Sequence, residues 1–559
     1  MTCLTQAANR EERVSETLAT PRRATTEWWR DAAIYQVYPR SFADADGDGT
    51  GDLDGVRSKL PYLRDLGIDA VWFTPWYPSP MADGGYDVED YRAIDPMFGT
   101  LAQAEALITD ALEYGIRTII DIVPNHISSN HRWFQEALAA GPGSPERERF
   151  WFRDGRGDEP PNNWISEFGG TPWSRVVGPD GVPEQWYLHL FAAGQPDVNW
   201  GHPDVREEYE QILRFWFDRG VSGVRIDSAA LLAKDAELPD LQPTHGPGGH
   251  PYIDREDLQE IYRSWRRIAE SYGGDRALIG EIWLPDAERF ARYLRPDVLH
   301  SAFNFDFLAA AWDADRLWSS IETTTRLHSA VGAPATWVLS NHDVTRPVTR
   351  YGRADTAFAF ETKRFGTPTD LELGRRRARA AAMLAMALPG SYYLFQGEEL
   401  GLPEVEDIPL DKLQDPMHGR SGGIDPGRDG CRVPLPWSGT EPPYGFSPRQ
   451  VDTWLPQPKD WAAFTAEAQS ADPQSMLSLY RMALLIRRTH PDLGDGPMAR
   501  LDAGPGVIAF RRGASFACVT NLTDHAVELP PHDQVWLASA MHEGGRLPAD
   551  ATAWLRLAS

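Results

Sequence analysis

The chain has 559 residues, of which 55 are basic and 81 are acidic, so its formal net charge is −26. This acidic balance argues against a nucleic-acid partner, which normally requires a basic face. Hydrophobic residues make up 42% and charged residues 24% of the chain, a globular composition that excludes a fully disordered or collagen-like protein.

The start of the chain differs from the rest in its pattern. Residues 1–26 are polar and charged, and apolar runs begin at Trp28 and Trp29, so we expect a disordered tail over residues 1–26. The tail has no continuous apolar segment typical of a signal peptide, and no run in the chain approaches the ~20 apolar residues of a membrane span. The sequence therefore predicts a soluble, cytoplasmic protein with no membrane partner.

Eight short apolar runs follow the tail and alternate with helical patterns that end near a glycine. The runs cover residues 33–38, 70–73, 118–123, 223–226, 277–280, 299–303, 336–339 and 391–395. Eight strands alternating with helices predict an α/β fold of the (β/α)8 TIM barrel type. An open doubly wound sheet is the alternative, but the glycine-rich phosphate-binding turn expected after one of its early strands does not occur.

Two further units are predicted beside the barrel. The long interval between the third and fourth runs is rich in turn residues and aromatic residues. We expect a small inserted domain over the barrel mouth at 125–197, which divides the barrel into 27–124 and 198–492. The short alternating apolar segments near the end predict a C-terminal antiparallel β-domain at 493–559.

Polar residues follow the predicted strands at the face where barrel enzymes place their active sites. These residues are Asp121, His126, Arg225, Asp227, Glu281, His342 and Asp343. Because the C-terminal ends of barrel strands surround one opening, we expect these acids, the arginine and the histidines to converge on a single pocket.

Asp227 and Glu281 are the candidates for a pair of catalytic carboxylates. Glycoside hydrolysis needs one acid to protonate the leaving oxygen and another to attack the anomeric carbon or to activate water. Arg225 points the same way as Asp227 on a strand, and this cation should lower the pKa of Asp227 and keep it ionised as nucleophile. The apolar context of Glu281 should raise its pKa and make it the general acid and base. Taken singly, each residue fits a structural ion pair equally well.

The motifs of the chain resemble those of the α-amylase superfamily, glycoside hydrolase family 13, and especially its oligo-1,6-glucosidase and α-glucosidase branch. The matching segments are AAIYQVYPRSFADADGDGTGDLDG, GGYDVEDY, DIVPNH, QPDVNW, GVRIDSA, GEIW, SNHD and FQGEELGL. The resemblance implies that Asp227 is the nucleophile, that Glu281 is the acid and base, and that Asp343 is a third acid which binds sugar hydroxyls in the distorted transition state. QPDVNW marks the glucosidases, whereas trehalose-forming relatives typically carry Met in place of its Gln.

The resemblance also implies a set of substrate-binding residues. Tyr86 is similar to the aromatic platform of the reaction subsite, and Asp83 and Arg428 are similar to the pair that closes the pocket and makes such enzymes exo-acting. The hydroxyl ligands of that subsite are matched by His126, Arg225 and His342, and the lining from the inserted domain by Phe168, Phe191 and Gln195. For the aromatic residues, burial in the core is the alternative.

Ser228 follows the residue that matches the nucleophile. In this branch of the family a Val at that position accompanies α-1,6 preference and a smaller residue accompanies α-1,4 preference. The resemblance therefore implies α-1,4 preference, and the alternative is that Ser228 only fills a packing gap. The chain also lacks the RLDRD-type motif associated with sucrose isomerases.

One loop before the second predicted strand reads DxDxDGxxD, with alternating oxygen ligands and a glycine at the turn. It is similar to the first part of a calcium-binding EF-hand loop, although Gly55 stands where that loop ends in a bidentate Glu. The candidate ligands are Asp44, Asp46, Asp48, Thr50 and Asp52. We expect a structural Ca²⁺ or Mg²⁺ and no organic cofactor, with an Asx-rich turn that holds no ion as the alternative.

These observations predict a retaining exo-α-glucosidase that removes terminal α-1,4-linked glucose from maltose and short maltooligosaccharides. A transglucosidase that transfers glucose to a sugar or alcohol acceptor, an oligo-1,6-glucosidase and a sucrose-cleaving enzyme are the alternatives. A non-catalytic member of the superfamily would have a membrane anchor and lack catalytic acids, and the sequence shows neither feature. The partner is thus a small oligosaccharide, and the sequence does not distinguish a monomer from a homo-oligomer.

Overall fold

The structure is a computed structural model that describes residues 27–178, 181–359 and 365–558. The tail predicted over residues 1–26 lies outside these ranges. Across the described ranges, no helix combines the length and the apolar character needed to cross a membrane. The cytoplasmic location stays a prediction.

Strands occur throughout the described residues and belong to four sheets. In chain order they are β1 (Ala33–Val37), β2 (Ala70–Phe73), β3 (Arg117–Ile122), β4 (Phe152–Arg153), β5 (Trp173–Val177), β6 (Pro183–Leu188), β7 (Gly223–Ile226), β8 (Ala277–Gly280), β9 (Ser301–Ala302), β10 (Thr336–Val338), β11 (Ser391–Phe395), β12 (Met498–Arg500), β13 (Val507–Arg512), β14 (Phe516–Asn521), β15 (Val527–Glu528), β16 (His532–Ala538), β17 (Arg546–Leu547) and β18 (Ala551–Leu557).

Eight of these strands form one parallel sheet in the order β10–β11–β1–β2–β3–β7–β8–β9. The sheet curves into a nearly closed barrel. Between its two end strands, the hydroxyl of Thr336 donates a hydrogen bond to the carbonyl oxygen of Ala302. Because both faces of a parallel sheet are covered, its strands are continuous apolar runs, and β1, β2, β8 and β11 are buried at every position. Each predicted run overlaps one of these strands, so the predicted barrel is confirmed.

Helices separate the barrel strands and pack outside them. In chain order the described α-helices are α1 (Leu53–Ser58), α2 (Leu60–Leu66), α3 (Leu101–Glu113), α4 (Arg132–Ala140), α5 (Pro145–Glu148), α6 (Pro203–Asp218), α7 (Asp257–Glu270), α8 (Ala287–Arg292), α9 (Phe305–Ala309), α10 (Ala314–Val331), α11 (Pro347–Tyr351), α12 (Leu371–Ala387), α13 (Pro416–Arg420), α14 (Ala466–Ser470) and α15 (Met476–Thr489).

Local sequence signals set the ends and faces of these helices. α3 begins at a capping box in which Thr100 and Gln103 satisfy each other's backbone N–H groups. Its buried residues include Ala104, Leu107 and Ala111, which recur at helical spacing and face the barrel. α10 ends at Gly332, whose φ of 77° is the left-handed conformation that glycine adopts without strain.

Two smaller sheets lie beside the barrel. Between β3 and β7, strands β4, β6 and β5 form an antiparallel sheet, packed around Trp151, Trp164 and Trp173. After α15, strands β12, β13, β14, β18 and β16 form an antiparallel sheet, and Trp554 of β18 donates to the carbonyl of Met383 in α12 at 3.1 Å. The predicted insertion after the third barrel strand and the predicted C-terminal β-domain are thus confirmed, while their exact boundaries stay predictions.

Candidate active site

The loops that follow the barrel strands enclose a pocket of about 440 Å³. Five carboxylates and one arginine line it, together with two histidines and several aromatic and apolar residues. The lining consists of Asp83, Tyr86, His126, Glu167, Phe168, Phe191, Asp227, Ser228, Ala230, Leu231, Ile253, Glu281, Trp283, His342, Asp343, Met417 and Arg428. Apart from Gln195 and Arg225, every residue predicted to be catalytic or substrate-binding belongs to this set.

Arg225 lies beneath the pocket and holds three acids together. Its Nη1 donates to Asp121 Oδ1 at 2.8 Å and to Asp227 Oδ1 at 2.7 Å, and its Nη2 lies 2.7 Å from Glu281 Oε2. The strands β3, β7 and β8 are neighbours in the sheet, so their C-terminal ends bring these side chains to one place. Arg225 is 1% exposed and fixes the acids from behind, while it does not itself line the pocket.

Ser228 connects the two candidate catalytic acids. Its hydroxyl donates to Asp227 Oδ2 at 2.9 Å, and its backbone N–H donates to Glu281 Oε2 at 3.0 Å. The φ of Ser228 is 47°, a left-handed conformation that costs a residue with a side chain on the order of 1 kcal/mol or more. A residue that only filled a packing gap would not make the hydroxyl bond to Asp227, whereas any residue but proline could make the backbone bond to Glu281. The side chain of Ser228 is thus placed to position Asp227.

Burial shifts the pKa values of both acids upward. It raises the pKa of Glu281 to about 7, although Arg225 opposes the shift. It raises the pKa of Asp227 to about 6, because burial outweighs the Arg225 cation and the hydrogen bond from Ser228. The upward direction predicted for Glu281 agrees with this, whereas the lowered pKa predicted for Asp227 is wrong. Since Asp227 still ionises at the lower pH, the pair can hold one carboxylate and one carboxylic acid.

Arg428 joins three loops at the wall of the pocket. It donates to Asp83 Oδ1 at 2.6 Å, to Asp343 Oδ1 at 3.0 Å and to Asp415 Oδ2 at 2.5 Å. Burial alone would raise the pKa of Asp343, but Arg428 and Arg432 outweigh it and hold that pKa well below its usual range. The expected partnership of Asp83 and Arg428 is therefore present, and Asp415, which no sequence motif indicated, belongs to the same network.

Tyr86 and two neutral histidines form another part of the lining. The rings of Tyr86 and His342 stack with centroids 5.3 Å apart and planes at 7°. His126 Nε2 lies 3.0 Å from the carbonyl oxygen of Tyr86 and 3.0 Å from Gln195 Nε2. Burial lowers the pKa of His126 to about 3 and that of His342 well below its usual value, so both are uncharged near neutral pH. Gln195 is buried behind His126 and supports the lining without joining it.

Aromatic residues complete the lining. Phe168 and Phe191 meet edge to face with centroids 5.5 Å apart, and both face the pocket, which argues against a purely core role. Trp283 stacks on Phe305 with centroids 3.6 Å apart, and its Nε1 donates to Glu281 Oε1 at 3.2 Å. No motif indicated this tryptophan as a site residue, but two residues of separation place Trp283 and Glu281 on the same side of an extended segment.

The loop before α1 brings three carboxylates together, and none of its acids lines the pocket. One oxygen from each of Asp44, Asp46 and Asp48 lies within 4.8 Å of the others. Asp52 is not in this group, and its carboxylate accepts the N–H of Gly55 at the start of α1 at 2.7 Å. Asp44, Asp46 and Asp48 also accept backbone N–H groups, as in an Asx-rich turn. The backbone N–H of Thr50 donates to Asp48 Oδ1 at 2.7 Å. Converging carboxylate oxygens suit Ca²⁺ or Mg²⁺, so the first three residues fit the expected ion and Asp52 serves as a helix cap.

Comparisons with known proteins complete the description of the site. A family model described as the α-amylase catalytic domain matches residues 36–496. The chain is 35% identical to a probable α-glucosidase of Rhizobium meliloti (strain 1021), with 92% of this chain and 94% of that protein aligned. It is 34% identical to a trehalose-6-phosphate hydrolase of Escherichia coli (strain K12), with 89% and 91% aligned. The crystal structure of an α-glucosyl transfer enzyme superposes with a TM-score of 0.81 at 35% identity and covers 95% of this chain and 99% of its own.

Proposed function

The chain belongs to the α-amylase family, glycoside hydrolase family 13, and from this premise we propose that it is a retaining exo-α-glucosidase acting on maltose and short maltooligosaccharides. One observation carries the proposal. A single guanidinium, that of Arg225, binds both Asp227 and Glu281 at the edge of the pocket. Sharing one cation favours the short carboxyl separation of retaining enzymes, about 5–5.5 Å, over the ~6.5–9.5 Å of inverting ones.

The arrangement supports a reaction in two displacements. Glu281 donates its proton to the glycosidic oxygen as Asp227 attacks the anomeric carbon, so the glycosidic bond breaks and the remaining sugar leaves as a neutral alcohol. Glucose stays on Asp227 as a β-linked ester. Glu281, now a carboxylate, takes a proton from water, and the water oxygen displaces Asp227 to give α-glucose. Asp343 stays ionised beside the sugar, where it can accept hydrogen bonds from hydroxyl groups.

The Arg428 network supports action at chain ends. Arg428, Asp83 and Asp343 all line the pocket, and Arg428 binds both acids. We infer that this wall of paired charges blocks a longer glucan from continuing beyond the terminal sugar, whose hydroxyl groups can donate to the carboxylate oxygens. A groove that cleaves within long chains would be open at this point.

The first experiment follows the anomeric protons by NMR while the enzyme acts on maltose, isomaltose and sucrose separately. We expect α-glucose to form first, because two inversions retain the configuration, and maltose to react faster than isomaltose. Initial β-glucose would contradict the role of Asp227, and faster reaction of isomaltose would contradict the α-1,4 preference inferred from Ser228. Adding glycerol as acceptor tests glucosyl transfer, the activity in the name of one structural relative. New glucosides forming faster than glucose would make the protein a transglucosidase.

Replacing Ser228 with Ala should move the acidic limb of the pH profile of kcat/KM upward by about one pH unit. The variant loses the hydroxyl that donates to Asp227 Oδ2, a bond that favours the ionised carboxylate by about 1.5–3 kcal/mol. Ser228→Gly is the matched control, since it also lacks the hydroxyl but adopts the observed φ of 47° without strain. If the limb moved in the Ala variant and not in the Gly variant, backbone strain would explain the shift and the hydrogen bond would not.

We also propose that Asp44, Asp46 and Asp48 hold a structural Ca²⁺ or Mg²⁺. Adding Ca²⁺ to the chelated protein should raise Tm by about 2–5 °C at concentrations of about 100 Kd, with no change in kcat because these acids do not line the pocket. Asp48→Asn should remove the gain, and Asp65→Asn, an exposed residue outside the group, should keep it. An equal gain of Tm in both variants would contradict the proposed site.

A further inference from the structure

Glu167 is the one carboxylate in the pocket lining that the proposed reaction does not use. Within the described residues, no hydrogen bond or ion pair engages its side chain, while Asp83, Asp227, Glu281 and Asp343 each bind at least one arginine. Those four are buried or nearly so, whereas the side chain of Glu167 reaches solvent. It therefore lies at the solvent side of the pocket, where the part of a substrate beyond the terminal glucose would sit. Desolvation, with a smaller contribution from Asp197, raises the pKa of Glu167 to about 7, so it is ionised above that pH.

The backbone around Glu167 is fixed by hydrogen bonds. The N–H of Glu167 donates to the carbonyl oxygen of Leu190 at 2.7 Å, and the hydroxyl of Ser166 donates to the carbonyl oxygen of Phe191 at 3.1 Å. Arg420 donates to the carbonyl oxygen of Gly169 at 3.0 Å, which ties this turn to α13 across the pocket. Hydrogen bonds thus fix the turn that carries Glu167. Arg420 binds the backbone of this turn and not the Glu167 carboxylate.

The lining around Glu167 is negative, with five carboxylates and one arginine. Arg420 lies outside the lining, where it donates to the Gly169 carbonyl oxygen and the Ser166 hydroxyl. Arg428, the one basic residue in the lining, is shared among Asp83, Asp343 and Asp415. The lining histidines are uncharged, because burial lowers the pKa of each. A negative cleft with low-dielectric walls repels anions and attracts cations.

The neighbours of Glu167 in the lining are apolar. Phe168, Phe191, Leu231, Ile253 and Met417 line the same pocket. Apolar surface with a single carboxylate suits a group that is itself largely apolar and carries one positive charge. A phosphate or carboxylate placed beside Glu167 would meet a like charge.

We propose that Glu167 selects substrates by the charge of the group linked to glucose, favouring α-glucosides whose leaving group carries an ammonium and disfavouring those that carry a phosphate or a carboxylate. This inference rests on the proposed α-glucosidase activity and adds the substrate class. It separates this chain from hydrolases of phosphorylated disaccharides with the same fold.

The test uses three aryl α-glucosides of similar size: 4-nitrophenyl, 4-(aminomethyl)phenyl and 4-carboxyphenyl. kcat/KM is measured at pH 8, above the raised pKa of Glu167, for the wild-type protein and for Glu167→Gln. Each substrate is compared between the two proteins, so differences in leaving-group chemistry cancel. We expect the variant to lose the preference for the cationic over the anionic substrate by about ten-fold or more, with less than about a three-fold change on the neutral one. In the wild type, the preference should shrink at high ionic strength.

The matched control is Glu159→Gln, which removes the same charge from an exposed residue in the same insertion but outside the pocket lining. It should keep the wild-type preference. If the wild type and Glu167→Gln cleave all three substrates with the same cation-to-anion preference, charge selection by Glu167 is overturned. The proposed α-glucosidase activity would then still stand. Failure to cleave any of the three would overturn the proposed α-glucosidase activity, and the charge selection with it.

Discussion

Replacing Asp227 with Asn should lower kcat on maltose by about 10⁴-fold or more, because the amide cannot form the ester that links glucose to the enzyme. The change preserves the shape of the side chain beside Arg225 and Ser228, so the loss reports chemistry more than folding. kcat is measured from initial rates, and circular dichroism establishes that the variant is folded. Substantial residual activity with retained configuration would contradict the role of Asp227.

Two further variants sharpen this test. Asp121→Asn is the matched control, because Asp121 binds the same Arg225 nitrogen as Asp227 but does not line the pocket; we expect a loss of about ten-fold to 100-fold. Asp227→Gly opens space on the face from which the carboxylate attacks. With added azide and an activated aryl α-glucoside, it should form the β-glucosyl azide, since azide then makes a single inverting displacement.

Replacing Glu281 with Gln should lower kcat/KM on maltose by about 10³-fold, because the leaving alcohol is no longer protonated. The loss should be much smaller on aryl glucosides with acidic phenols, which leave without a proton. Ser228 and Trp283 donate to different oxygens of Glu281, so the amide oxygen of the variant keeps one of these bonds and loses the other. An equal loss on maltose and on activated aryl glucosides would contradict the acid role.

The pH profile provides a second reading of the same variant. Activity requires ionised Asp227 and protonated Glu281, whose pKa values burial raises to about 6 and about 7. The wild-type kcat/KM should therefore fall as pH drops below about 6, where Asp227 gains a proton, and fall as pH rises above about 7, where Glu281 loses one. Because Asp227 and Glu281 interact, the two limbs of the profile report apparent pKa values of the pair and not of either residue by itself. In Glu281→Gln the limb above pH 7 should disappear, and its persistence would assign that limb to another group.

The barrel and its catalytic acids were predictable because their signals are local. Parallel strands buried on both faces appear as short apolar runs, and Asp227 and Glu281 each follow such a run directly. The direction of the Asp227 pKa was not predictable, because it depends on how much water the complete pocket excludes. The Arg225 cation is visible two residues away in the sequence, but the burial that outweighs it is a property of the folded barrel.

The parts of the site that escaped prediction come from distant loops. Asp415 binds Arg428 from the same long loop, and nothing in its sequence context distinguishes it from other aspartates there. Glu167 lies in the insertion, whose irregular backbone has no periodicity from which to infer which side chains face inward. For Gln195 and Arg225, sequence indicated proximity to the pocket but not their position behind its lining.

The bond between Arg428 and Asp83 has a consequence for how the protein acquires activity. The two residues are 345 positions apart in the chain, and Asp343 and Asp415 depend on the same guanidinium. Contacts of such long sequence separation form late, because closing the long loop costs conformational entropy before the contact contributes any stabilisation. A refolding or newly synthesised chain can therefore have much of its native secondary structure while its pocket wall is missing. Recovery of glucosidase activity should lag behind recovery of the far-ultraviolet dichroism signal.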